Sequence, residues 1–144
     1  MKLALLGTGM IVTEVLPVLN DYWEHWAEGY NVDTTILDKA ETLAKQYGLT
    51  QATSDYEAIL SNPDVDTIYV GTPNHTHYDY AKQALLAGKH VICEKPFTLH
   101  LEEFEELIKL AQEKELLLIE AIINQYLENF KVIKDSLSEI GDIK

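Results

Sequence analysis

The sequence predicts an α/β domain of the doubly wound class, a parallel sheet covered by helices on both faces in a three-layer αβα arrangement. Three observations carry this expectation. Short apolar runs of strand length alternate with amphipathic stretches along the chain. The first run ends in a Gly-x-Gly turn that passes directly into helical spacing. The 144 residues are 47% hydrophobic and 24% charged, the composition of an ordinary globular domain able to bury roughly two-thirds of its unfolded surface.

The opening stretch, Leu3 to Val12, organises the rest. Leu3 to Leu6 is a strand, Gly7-Thr8-Gly9 a tight turn, and Met10, Ile11, Val15, Val18 and Leu19 recur at helical spacing. Such a turn suits a pyrophosphate: the first glycine permits the sharp bend, and the second keeps side-chain atoms away from the anion. The exposed N–H groups of the helix start then face the ligand. Two glycines also occur in such turns for steric reasons alone, and Val12 stands where the full fingerprint has a third small residue. The helix runs from about Met10 to Glu28 with Pro17 inside it, so it should kink or begin late. Trp23 and Trp26 on its face read as core rather than as a stacking platform.

Tyr30 to Leu37 is the expected second strand, although its polar residues suit a buried parallel strand poorly. Asp38 to Tyr47 is a helix ended by Gly48, Thr50 to Thr53 a short strand, and Asp55 to Leu60 a short helix led in by Ser54. Asn62-Pro63-Asp64 breaks the chain. Val65 to Val70 and His90 to Cys93 are strands separated by a helix, Thr76 to Leu86, that stops at Gly88. A helix from about Leu101 to Lys114, a strand from Leu116 to Ile119 and a last amphipathic helix from about Asn124 to Ser138 complete the alternation. Right-handed crossovers then make the sheet parallel.

The net charge of −13 and pI near 4.6 argue against a nucleic-acid or anionic-membrane partner, since both need a basic footprint. A phosphate would have to be held by local backbone dipoles. Cys93 is the single cysteine, and no signal segment or 18-residue apolar span is found. These features read as a cytoplasmic protein. His75 and His77 are spaced for neither helical pairing nor zinc, so no metal site is expected.

Ligands of doubly wound sheets sit at the carboxyl ends of the strands. Three loops there carry unusual residues: Gly71-Thr72-Pro73-Asn74-His75-Thr76-His77, Glu94-Lys95-Pro96-Phe97 and Glu120-Ala121. Each also has a plain structural reading. Thr76 or Asn74 would cap the following helix, and Glu94 and Lys95 would make a surface ion pair.

In combination, Gly-Thr-Gly, Gly-Thr-Pro-Asn-x-x-His and Gly-Lys-His-Val-x-Cys-Glu-Lys-Pro resemble the nicotinamide-dependent glucose-fructose oxidoreductase, inositol dehydrogenase and MocA (Gfo/Idh/MocA) family. The likeness extends from Leu3 to Gly141-Asp142-Ile143, and Glu120-Ala121 suggests the branch similar to dihydrodiol dehydrogenases. The resemblance implies a Rossmann domain binding NAD or NADP over residues 1–144. It implies that Gly7, Thr8, Gly9, Met10 and Ile11 line the pyrophosphate. Thr72, Pro73, Asn74 and His77 would border the adenosine and nicotinamide-ribose side, and Glu94 would lie near the nicotinamide. Lys95 would be both cofactor-binding and catalytic, polarising or relaying a proton to the substrate oxygen. Asp33 lies near the distance at which the family reads the adenosine ribose, which favours NAD by charge repulsion.

Three departures bear on this reading. Val12 would hold the first helix farther from the sheet. The segment before Leu37 would impair the adenosine pocket if it displaced the second strand. The family's substrate domain, which would hold a sugar, polyol or diol, is expected to be absent here, so the isolated domain should bind cofactor at most. The last helix, with Ile122, Ile123, Tyr126, Phe130, Ile133 and Leu137, would then expose an apolar face suited to homo-oligomer formation. The alternative is a truncated or engineered scaffold without activity. A methyltransferase reading of Gly-x-Gly leaves the Glu-Lys-Pro box unexplained.

Overall fold

The computed structural model describes residues 2–22, 30–32, 37–122, 124 and 127–137. Among these, six strands form one parallel sheet: β1 (Leu3–Leu6), β2 (Tyr30–Val32), β3 (Gln51–Thr53), β4 (Thr67–Val70), β5 (His90–Cys93) and β6 (Leu118–Glu120). Their order is β3-β2-β1-β4-β5-β6, so the chain reverses direction across the sheet between β1 and β4. That reversal opens a crevice at the carboxyl ends of these two strands. The helices are α1 (Met10–Tyr22), α2 (Leu37–Tyr47), α3 (Tyr56–Ser61), α4 (His77–Leu86), α5 (Leu101–Glu113) and α6 (Glu128–Ser136).

The period-two alternation of strands divides the core. Leu3 and Leu5 of β1 and Tyr69 of β4 pack with Val12 and Leu16 of α1 and Leu43 of α2 on one face. Ala4, Leu6, Ile68, Val70, Val91 and Cys93 face the other way, onto Ile59, Ala81, Ala84, Leu85 and Leu107 of α3, α4 and α5. Burial on both faces is why β1 reads as an unbroken apolar run, and β4, Thr67-Ile68-Tyr69-Val70, is likewise buried at every residue. The three-layer expectation holds.

Several local expectations are met and others corrected. Gly48 and Gly88 take positive φ, +66° and +77°, just beyond α2 and α4. Leu49 N–H bonds the Ala44 carbonyl and Lys89 N–H the Ala84 carbonyl, which closes each helix end. Helix α1 begins at Met10 rather than late. It carries Pro17 within it, at the cost of the amide that would have faced the Thr13 carbonyl. The short helix is capped by Asp55 rather than Ser54, with the carboxylate accepting from Ala58 N–H at 3.0 Å. Strand β2 is found where expected, but only Tyr30–Val32 belong to it among the described residues. Trp23, Trp26, Asp33, Ile123, Tyr126 and the Gly141-Asp142-Ile143 end lie outside those residues.

The largest shift of register is in the last strand. Leu116 and Leu117 lead into it: Leu116 N–H is taken by the Ala111 carbonyl as α5 ends, and Leu117 N–H by Nδ1 of His90. Pairing of β6 therefore runs from Leu118 against Val91 to Glu120 against Cys93. Glu120 is thus the last residue of the strand, not part of the loop after it.

Candidate functional site

The carboxyl ends of β1, β4, β5 and β6 bring together the glycine turn and all three unusual loops. In the turn, Gly7 has φ +117°, and a Cβ built there would stand 2.7 Å from the Gly71 carbonyl oxygen. No side chain fits. A Cβ on Gly9, by contrast, would meet only that same oxygen, at 3.9 Å. Gly9 and Met10 are exposed, and the Gly9 carbonyl accepts the first helical bond, from Thr13 N–H at 3.2 Å. The amides of the first turn of α1 consequently have no intrahelical acceptor. Thr8 is buried beneath them.

Val12 does not leave a gap. It is fully buried, and its Cγ2 occupies the volume that a side chain on Gly71 would need, 2.7 Å from the position of a Cβ there. Bulk has moved from the helix to the loop's disadvantage, and Gly71 compensates by having none.

The loop after β4 turns through a short 3₁₀ segment, Asn74–Thr76, into α4. The expected side-chain cap by Asn74 or Thr76 is not formed. Instead Thr76 Oγ1 lies 2.7 Å from the Pro73 carbonyl oxygen and 2.8 Å from Thr72 Oγ1, so the hydroxyls tie the loop to itself. Thr72 is half-buried, while Pro73, Asn74 and His75 are exposed.

His77 is fully buried and connects two loops. Its Nε2 lies 2.7 Å from the Thr72 carbonyl oxygen and its Nδ1 2.8 Å from the Pro96 carbonyl oxygen. Carbonyls only accept, so in these contacts the ring is the donor. Its place is thus beneath the crevice, linking the Thr-Pro-Asn loop to the Glu-Lys-Pro loop.

Glu94 and Lys95 separate in role. Glu94 is buried, and Lys95 is exposed, so the surface ion pair considered from sequence is not formed. The Glu94 carboxylate accepts a short hydrogen bond from the Tyr69 hydroxyl, and its Oε2 lies 3.3 Å from Lys95 N–H. Burial, followed by the bond to Glu94 and its charge, pushes the Tyr69 phenol well above its ordinary value. The Lys95–Pro96 peptide is cis. Beyond it, Phe97 N–H donates to Glu120 Oε1 at 3.2 Å. Burial, then the charges of Glu94 and Glu120, push the Cys93 thiol upward, which leaves it a small core residue without thiolate chemistry.

The structure therefore gathers Gly7, Thr8, Gly9, Met10, Ile11, Thr72, Pro73, Asn74, His77, Glu94 and Lys95 at one edge. Asp33 lies outside the described residues. Sequence reading missed Tyr69. Its signal was a phenol in a buried strand whose register partner, Ile92, lies two residues before the Glu94 carboxylate, since a buried hydroxyl needs a partner. No group of three or more His, Cys, Asp or Glu able to hold a metal is found among the described residues. Nor is any described helix long and apolar enough to cross a membrane.

Residues 1–122 match the family model described as the oxidoreductase family with an NAD-binding Rossmann fold, GFO_IDH_MocA. Among curated proteins, the chain is 30% identical over 143 residues to the scyllo-inositol 2-dehydrogenase (NADP(+)) of Bacillus subtilis, covering 99% of this chain and 43% of that one. It is 34% identical over 110 residues to the trans-1,2-dihydrobenzene-1,2-diol dehydrogenase of Xenopus tropicalis, covering 75% and 33%. Among solved structures, a 3-ketoreductase from Actinomadura kijaniata in complex with NADP and TDP-benzene superposes with a TM-score of 0.88 at 30% identity, covering 96% of this chain and 42% of that one. The chain spans roughly two-fifths of the length of the first curated relatives it matches.

Proposed function

The chain belongs to the Gfo/Idh/MocA oxidoreductase family with its NAD-binding Rossmann fold, and we propose that residues 1–144 act as the dinucleotide-binding domain of an enzyme moving a hydride between nicotinamide and a sugar, polyol or diol. The observation that carries the proposal is the open backbone at Gly9. A Cβ there would meet only the Gly71 carbonyl oxygen, at 3.9 Å, and the Gly71 loop is joined through His77 to Lys95–Pro96. A pyrophosphate there would accept from the first-turn amides.

Gly9, Met10 and Ile11 would hold the pyrophosphate by backbone N–H groups, over Gly7 and Thr8. Thr72, Pro73 and Asn74 would border the adenosine and nicotinamide-ribose side, held from beneath by His77, with Glu94 near the nicotinamide. When bound, the cofactor supplies the carbon that takes or gives the hydride. Lys95, exposed at the crevice, would hold or relay the proton of the substrate oxygen. Its ammonium needs a substrate held against it, a task the family's second domain would perform.

The relatives named for polyols and diols support the substrate class. Cofactor choice is a contest of two signals. Asp33 favours NAD by repelling a 2′-phosphate, whereas the Bacillus subtilis dehydrogenase is named for NADP(+) and the Actinomadura kijaniata reductase is in complex with NADP. On helix α6 and just beyond it, Phe130, Ile133 and Leu137 are exposed, a face suited to self-association in this chain. A cytoplasmic setting fits the lone cysteine.

Calorimetric titration of NAD and NADP into the chain and into Gly9→Asp tests the proposal. Binding that disappears in the variant is expected, because the carboxylate would take the pyrophosphate's place. Absence of binding of both nucleotides at millimolar concentration would refute it and leave the scaffold reading. A monomer by sedimentation at high concentration would refute self-association.

A further inference from the structure

The peptide group joining Pro96 to Phe97 is held at both of its ends. Its carbonyl faces Nδ1 of His77 at 2.8 Å, and its N–H donates to Glu120 Oε1 at 3.2 Å. These two side chains come from different elements, α4 and β6, on either side of β5. Between them they fix the plane of the first peptide after the Lys95–Pro96 unit. The Phe97 ring is buried and packs at 5.3 Å from the Phe104 ring, which anchors the segment but does not set which way the peptide faces. The two hydrogen bonds bear on that directly.

Glu120 is itself rigidly placed. It lies opposite Cys93 in the β5–β6 register, and the next residue, Ala121, returns its N–H to the Cys93 carbonyl at 2.8 Å. A half-buried carboxylate on the edge strand is a costly choice for a residue whose neighbours in β6 are Leu118 and Ile119. Its bond to Phe97 N–H gives it a task.

We infer that Glu120 is a positioning residue that, with His77, clamps the Pro96–Phe97 peptide and so fixes where Lys95 stands at the nicotinamide end of the site. This rests on the dinucleotide-binding reading above for its consequence, but the clamp itself stands on geometry alone. Glu120 touches neither cofactor nor substrate in this account. It acts through the loop.

The test uses the 144-residue chain with Glu120→Ala and Glu120→Gln. Hydrogen exchange at the Phe97 amide reads the clamp directly. Glu120→Ala should exchange about tenfold faster there, because an acceptor bonded to that N–H is lost, while Glu120→Gln, whose side-chain carbonyl still accepts, should stay near the parent rate. Unchanged exchange in Glu120→Ala, or equal loss in both variants, overturns the clamp. Calorimetry with NAD, NADP and ADP reads the consequence. Glu120→Ala should weaken the dinucleotides by about fivefold or more, with ADP, which lacks the nicotinamide half, within about twofold and Glu120→Gln restored. Equal weakening of ADP overturns the assignment to the nicotinamide end. If the parent chain binds none of the three, the dinucleotide reading fails, and the exchange result still decides the clamp. If Glu120→Ala does not fold, the Gln variant carries the test through Phe97 exchange, and loss of protection there overturns the proposal.

Discussion

Adding one methyl group to Gly7 and to Gly9 in turn should have opposite effects on folding and on binding. In Gly7→Ala the new Cβ would lie 2.7 Å from the Gly71 carbonyl oxygen and 3.0 Å from its carbonyl carbon, on a backbone with φ +117°. The obstructing atoms are backbone, so no rotamer change relieves the contact. The dihedral costs about 1–2 kcal/mol for a residue with a Cβ, and overpacking adds about 1–3 kcal/mol. A loss of roughly 2–5 kcal/mol follows, lowering Tm by roughly 10 °C in a domain of this size. In Gly9→Ala the methyl meets nothing closer than 3.9 Å. Only the poorer N-cap remains, worth less than about 1 kcal/mol. That methyl would, however, stand where the pyrophosphate must approach, and dinucleotide affinity should fall at least about tenfold. Urea denaturation of both variants, with calorimetry of Gly9→Ala, measures the contrast. Equal stability losses at the two positions would refute the packing argument, and undiminished affinity in Gly9→Ala would refute the placement of the pyrophosphate.

Tyr69→Phe removes the hydroxyl donor to the buried Glu94 carboxylate, and denaturation at neutral pH should show a loss of about 1–3 kcal/mol. Lys89, 7% exposed, donates at 2.7 Å to both the Asn62 and Val65 carbonyls at the amino end of the sheet. Lys89→Met should cost about 2 kcal/mol and leave nucleotide affinity unchanged, as the site lies at the opposite edge. For Asp66, desolvation raises the carboxyl pKa, but hydrogen bonds from the Thr67 hydroxyl and Lys2 N–H outweigh it and hold the group below its usual 3.8. The stabilisation is present above that value and lost as pH falls through the lower folded one. Asp66→Asn should therefore be less stable than the parent at neutral pH, with the deficit shrinking in denaturation curves taken progressively below pH 3.8.

By itself the sequence determined the class of fold, the order of its elements and the residues gathered at one edge. Strand β1 had to be apolar throughout because both faces are covered. Gly48 and Gly88 marked helix ends because the chain takes positive φ just beyond α2 and α4. The loops carrying Thr72, His77, Glu94 and Lys95 were legible because parallel strands deliver all their carboxyl ends to the same side. Tertiary structure decided everything that depends on one loop meeting another. Val12 is tolerated because Gly71, far along the chain, vacates the space it fills. Thr76 abandons the helix cap because the Pro73 carbonyl and Thr72 hydroxyl lie nearer. Glu120 becomes a strand residue facing Phe97 N–H because His90 and Ala111 take up the amides before it and set the register of β6. Local propensity and periodicity act within a few residues, whereas these contacts exist only once β1, β4, β5 and β6 lie side by side.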